Sequence, residues 1–153
     1  MTVAFIGSNN HEWGKTSMKR LSKEITKLVE REGADVFLFT DGGVFDDACW
    51  VVVTQLLVRY PNIRRVYART KNDDYDDRLK KIGLCYECTF LIDAVRDAGI
   101  FAQSVRNEAI VEMCDVLVTC FDMKKLPSVR IKSVTEMAVE YARQRKKRII
   151  NII

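Results

Sequence analysis

A chain of 153 residues, 48% apolar and 30% charged, is large enough for one domain with a sizeable core and too short for two of ordinary size. No segment is long and apolar enough to span a bilayer, and the chain enters an apolar strand at Val3 with no basic leader, so no signal peptide and a cytoplasmic location are expected. Five cysteines and one histidine give neither an even disulfide framework nor a full zinc ligand set, and the formal charge of +4 is modest.

Strand and helix signals alternate in chain order. Val3 to Gly7 is a short apolar run ending in glycine, and Met18, Leu21, Ile25, Leu28 and Val29 then fall at helical spacing until Gly33. Val36 to Thr40 reads as a second strand, Val44 to Tyr60 as a second helix, and Arg65 to Arg69 as a third strand after the Pro61-Asn62 break. A polar stretch from Lys71 to Asp77 leads to a short helical piece near Arg78 to Ile82 and a strand near Thr89 to Ile92. Helical spacing returns at Val105 to Met113, followed by a strand at Val116 to Phe121, a helix opened by Ser133, and a final strand at Ile149 to Ile153. Continuous apolar strands separated by helices predict a mainly parallel sheet covered on both faces, an α/β Rossmann-like three-layer sandwich.

The second helix has almost no polar face, because Ala48, Cys49, Trp50, Val51, Val52, Val53, Leu56, Leu57 and Val58 crowd it. Complete burial would need more than one side of a small sheet, so a homodimer or higher homo-oligomer is expected, with the segment from Lys71 to Asp77 as the alternative cover.

The junction of the second strand and helix, Phe39-Thr40-Asp41-Gly42-Gly43-Val44-Phe45-Asp46, carries the main functional signal. Paired glycines let the backbone approach a ligand, and the first turn of a helix offers N–H groups to an anion. The same pair also serves a tight strand-to-helix turn that needs glycine for geometry alone. Asp46 in the first turn suits the helix dipole as well as a ligand. Gly7-Ser8-Asn9-Asn10-His11-Glu12-Trp13-Gly14-Lys15-Thr16 ends like a phosphate-binding P-loop. Its first glycine, however, lies two residues too far from the Gly-Lys pair, which ranks an NTPase using Asp122 below the other readings. His11 has no partner histidine, and Cys85-Tyr86-Glu87-Cys88 has metal spacing without a second pair. The basic run Arg143-Gln144-Arg145-Lys146-Lys147-Arg148 reads as a solvated helix end, and nucleic acid is not expected as a partner.

Four ordered stretches carry a resemblance. They are Val3 to Ser8; Asp41 to Asp46 with Tyr60-Pro61 and Val66-Tyr67; Arg106-Asn107-Glu108-Ala109-Ile110-Val111 leading to Cys114-Asp115-Val116; and Ala138 to Ala142 leading to Ile149 to Ile152. With them the chain resembles the SLOG branch of Rossmann-like proteins, which includes LOG phosphoribohydrolases, DprA DNA-processing proteins and YpsA-like proteins. The resemblance implies a nucleotide pocket at the carboxyl edge of the sheet. Arg106 matches the LOG arginine, and Ser133-Val134-Thr135-Glu136 matches the family's Thr-x-x-Glu. The glycines that precede this motif in LOG enzymes are replaced by Ser128-Val129-Arg130-Ile131-Lys132. Ser133 to Glu136 is equally a capping box.

The expected function is therefore binding, sensing or sequestration of a nucleotide-derived small molecule, without metal or further cofactor. Gly7, Ser8, Gly42, Gly43, Asp46, Ser133 and Thr135 would surround it and Arg106 would act as counter-ion. Asp41 and Glu87 are secondary candidates for a ribose hydroxyl or base edge, and Arg130 or Lys132 for a phosphate. The alternative is N-glycosidic hydrolysis of a nucleoside 5′-monophosphate with Arg106 and Glu136 as catalytic residues, and DprA-like DNA binding ranks lower.

Overall fold

The computed structural model describes residues 1–8, 12–40, 43–70, 85–122 and 132–153. Six strands form one sheet: β1 (Thr2–Phe5), β2 (Val36–Phe39), β3 (Arg64–Ala68), β4 (Cys88–Phe90), β5 (Val116–Thr119) and β6 (Arg148–Asn151). Their spatial order is β4-β3-β2-β1-β5-β6, and every pair is parallel. Helices α1 (Lys15–Glu32), α2 (Val44–Leu57), α3 (Asp93–Arg96), α4 (Ala102–Met113) and α5 (Val134–Gln144) complete the described elements. The chain is thus an α/β protein with the Rossmann-like three-layer architecture its strand pattern predicts.

Strand side chains alternate between two cores. Phe5, Phe37, Phe39, Val116 and Val118 meet Leu21, Ile25 and Leu28 of α1 and Cys49, Val52 and Val53 of α2 on one face. On the other, Ala4, Ile6, Leu38, Val66 and Leu117 meet Ile110 and Val111 of α4 and Ala138, Val139 and Ala142 of α5. Burial on both faces is why the strands read as continuous apolar runs. Strands β1 to β4 step outward in one direction, while β5 and β6 continue on the other side of β1. The topological switch point therefore lies between β1 and β5.

Several boundaries differ from the sequence expectations. The fourth strand runs Cys88–Phe90, and α4 begins at Ala102, because the 3-10 turn Gly99–Phe101 feeds directly into it. Helix α3 was not foreseen, since four residues with one buried side chain, Val95, show no period. The helical piece near Arg78 to Ile82 and the polar stretch from Lys71 to Asp77 lie outside the described residues. Among the described residues, no helix is long and apolar enough to cross a membrane.

The second helix is not buried on all sides. It buries Phe45, Cys49, Val52, Val53 and Leu56 within its own chain and leaves Val44 and Val51 about half exposed, with Val58 exposed just beyond its end. Trp50 is covered locally: its Nε1 donates to the Cys85 carbonyl at 3.0 Å, and the Arg65 guanidinium lies 5.3 Å from its ring centroid. Neither Val53 nor Trp50 requires a second subunit.

Candidate functional site

The helices α1, α2 and α5 each follow a strand of a parallel sheet, so all three open at its carboxyl edge. Open α/β sheets take ligands at that edge, beside the switch point. There β1 and β5 stay joined beyond their strands, with Ile6 N–H donating to the Val118 carbonyl at 3.2 Å and Ser8 N–H to the Cys120 carbonyl at 2.8 Å. The Ser8 backbone therefore ties the segment after β1 to the segment after β5. Phe121, two residues beyond β5, is fixed by Asn151, whose Nδ2 donates to its carbonyl at 2.9 Å and whose Oδ1 accepts from its N–H at 3.3 Å.

Two of the three helix starts are glycines without a side-chain cap: Gly14 before α1 and Gly43 before α2. Gly43 has φ 128° and ψ 168°, a conformation closed to residues with a Cβ. Gly43 thus brings no side chain to cap the first turn of α2. Asp46, 5% exposed in that first turn, accepts a short hydrogen bond from the Thr40 hydroxyl, which ties the end of β2 to α2. The third start is capped, with the Ser133 hydroxyl accepting from Glu136 N–H at 3.1 Å, one half of the expected capping box. Gly42 and Asp41 lie outside the described residues, as do His11 and Arg130.

Gly7 has a different cause. A Cβ there would lie 2.3 Å from Cδ1 of Phe45, so glycine is needed for the ring to close over the end of β1.

The α4–α5 face contributes buried polar groups. Arg106, Asn107 and Glu136 are each at most 4% exposed, and Arg106 Nε donates to Asn107 Oδ1 at 3.1 Å. Thr119, last residue of β5 and on this same face by alternation with Leu117, is 1% exposed. Its hydroxyl is buried and has no hydrogen-bond partner among the described residues, and the same is true of Nε of Arg69 beyond β3. A buried polar atom left unpaired costs about 1–3 kcal/mol, so each of these calls for a partner such as water or a ligand. Thr135 is half-buried beside Ser133.

Aromatic rings that the sequence reading left unassigned lie on the α1–α2 face of this edge. Trp13 lies 5.7 Å from Phe45, and Tyr86 lies 5.5 Å from Phe39 and 5.4 Å from Tyr67 in a stacked pair. Trp13 and Tyr86 keep part of their surface exposed. Burial, followed by the nearby Asp46 carboxylate, pushes the Tyr86 hydroxyl well above its ordinary value, which keeps it a neutral donor. Burial pushes the Cys120 thiol up to about 11, so it offers no thiolate at neutral pH.

Other candidates sit elsewhere or are already engaged. Glu87 immediately precedes β4, where Arg65 Nη2 holds it at 2.7 Å and the Arg65 backbone N–H also donates to it. Lys132 forms an ion pair with Glu140 at 2.7 Å. In the basic run, Arg145 pairs with Glu112, Arg148 with Glu32, and Lys147 donates to the carbonyls of Glu112 and Cys114 at the end of α4. The five cysteines are free thiols, and no cluster of metal-ligating side chains forms among the described residues.

No model of a known protein family matches the chain, and no curated protein does so either.

Proposed function

We propose that the protein binds a nucleotide or nucleotide-derived ligand at the carboxyl edge of its sheet, and that it senses or sequesters this ligand. The observation that carries the reading is the start of α2, where Gly43 in a glycine-only conformation precedes a first turn with no side-chain cap. A phosphate would take those N–H groups. The Thr119 hydroxyl, Ser8, Ser133 and Thr135 would meet ribose or phosphate oxygens, Asp46 a ribose hydroxyl, and Arg106 would supply the counter-charge. Trp13 and Tyr86 offer ring faces on which a base can stack. The resemblance to SLOG proteins points the same way and belongs to this proposal, as does a cytoplasmic setting.

Hydrolysis of a nucleoside 5′-monophosphate is the second reading, favoured by the burial of Arg106 and Glu136 in helices covering the same face. Binding ranks above it because Ser133 already caps the helix start where LOG enzymes place a glycine-rich cradle. Self-association is a separate proposal that now rests on Val44, Val51 and Val58 alone. Sedimentation at micromolar concentration tests it, a dimer supporting it and a monomer removing it.

Calorimetric titration with AMP, GMP, their triphosphates and cyclic dinucleotides tests the binding reading. Binding of at least one of them, lost in Gly43→Val with the fold intact by circular dichroism, supports it. No heat with any ligand from folded parent protein contradicts it.

A further inference from the structure

Helix α1 carries six cations against three acids, and so holds three of the chain's four net positive charges. Five of the cations, Lys15, Lys19, Lys23, Lys27 and Arg31, follow one another at i, i+4 and are all exposed. With 1.5 Å of rise and about 100° of turn per residue, this row spans about 24 Å along the helix axis while winding about 40° at each step. Each neighbouring pair repels, because side chains four apart on a helix face one another. The helix's own acids relieve this only in part: Glu32 attracts Lys27, but its ion pair is with Arg148. Glu30 accepts from the Tyr60 hydroxyl and pairs with Arg59, Glu32 pairs with Arg148, and Glu24 acts electrostatically on that same Arg148. Among the described residues, none of the five cations forms an ion pair or a hydrogen bond. The C-terminal basic run behaves in the opposite way, with three of its cations already bonded within the fold.

We infer that the exposed face of α1 is a docking surface for the phosphodiester backbone of a nucleic-acid duplex, bound without sequence preference. A row of exposed cations, none of them in an ion pair among the described residues, complements a line of phosphates, and release of condensed counterions drives that contact. Two other polyanions fit less well. A membrane-surface helix inserts an apolar face between lipids, whereas the apolar face of α1 (Leu21, Ile25, Leu28 and Val29) lies in the core, and no large apolar side chain on α1 is exposed. Single strands are held by stacking their bases on aromatic side chains, and α1 contains no aromatic residue. The surface starts at the carboxyl edge with Lys15 and runs away from it along the outside of α1, and the inference stands whether or not a nucleotide binds at that edge.

Fluorescence anisotropy with a mixed-sequence 20-base-pair duplex, a 20-nucleotide single strand and phosphatidylserine vesicles tests it. The duplex should bind at 50 mM salt, and with five phosphates neutralised the affinity should fall about 500-fold by 200 mM. Lys19→Gln/Lys23→Gln/Lys27→Gln, all exposed positions that leave the core intact, should lower the log–log salt slope from about 4.5 to about 1.8. Arg143→Gln/Lys146→Gln should leave it unchanged. The inference is overturned if the duplex does not bind at 50 mM salt, if vesicles or the single strand bind more tightly, or if the triple variant keeps the parent slope.

Discussion

Gly7 and Phe45 fit so closely that a Cβ on Gly7 would stand 2.3 Å from Cδ1 and 2.5 Å from Cγ of the ring. Phe45 is 1% exposed and packs on Phe5 and Trp13, so the ring has little room to yield. The glycine just beyond β1 is therefore set by how α2 seats on the sheet. Gly7→Ala should cost about 1–3 kcal/mol of stability through overpacking. Phe45→Leu in that background should recover part of the loss, because the smaller side chain vacates the space. Urea denaturation of the two single variants and the double variant checks this, and strictly additive losses would show that the two positions are independent.

Gly43 answers to backbone conformation. At φ 128° and ψ 168° a side chain is strained wherever it points, so Gly43→Ala should lose about 1–3 kcal/mol. Its nucleotide affinity should also fall, since the first turn of α2 would be displaced from the crevice. Thermal unfolding and titration of the same preparation separate the two effects. A Gly43→Ala protein that is as stable as the parent and binds as well would place the cradle elsewhere.

The Arg65–Glu87 pair predicts an acid limit. Burial works to raise the Glu87 carboxyl, but the Arg65 side chain and backbone N–H together outweigh it and hold the group below its ordinary 4.5. A carboxylate lowered in the folded state contributes stability above its unfolded value, and that contribution is lost as pH falls through the folded one. Urea midpoints of the parent should therefore drop below about pH 4.3 more steeply than those of Glu87→Gln. Parallel curves for the two proteins would mean the pair adds nothing.

Arg106 and Glu136 separate a binding protein from a hydrolase. In a binding protein, Arg106→Ala weakens affinity by about 1.5–3 kcal/mol if it meets a phosphate, while Glu136→Gln changes little. In a glycosidase either substitution collapses turnover with a smaller effect on ground-state binding. Chromatography of AMP and GMP incubated with the parent should show no free base. Release of adenine or guanine, abolished by Glu136→Gln, would establish the hydrolase instead.

The architecture was legible because the strands are buried on both faces and the helices carry a clear period, as at Leu21, Ile25 and Leu28. The cap of α5 was equally legible, since Ser133 and Glu136 act through local spacing. What could not be read were relations set by tertiary packing: Phe45 over Gly7, Thr40 on Asp46, and Asn151 bridging to Phe121. Glu87 looked like a candidate ligand contact, but the register of β3 and β4 sets it against Arg65, which already holds it. The second helix was expected to need a partner subunit because Ala48 to Val53 and Leu56 to Val58 are apolar; its own chain covers most of them, while Val51 and Val58 share a solvent-facing stripe with Val44. Composition alone did not mark that stripe. The C-terminal basic run drew notice by its density, whereas the cations of α1 are dispersed along the sequence and become one row only on a helix.

Native mass spectrometry of the protein as purified, followed by denaturation and identification of whatever is released, tests the central claim most directly. The account predicts a mass excess equal to a nucleotide or nucleotide derivative, absent from Gly43→Val and weakened in Arg106→Ala. A folded parent protein that carries no ligand, and gains none when incubated with millimolar nucleotides, would contradict it.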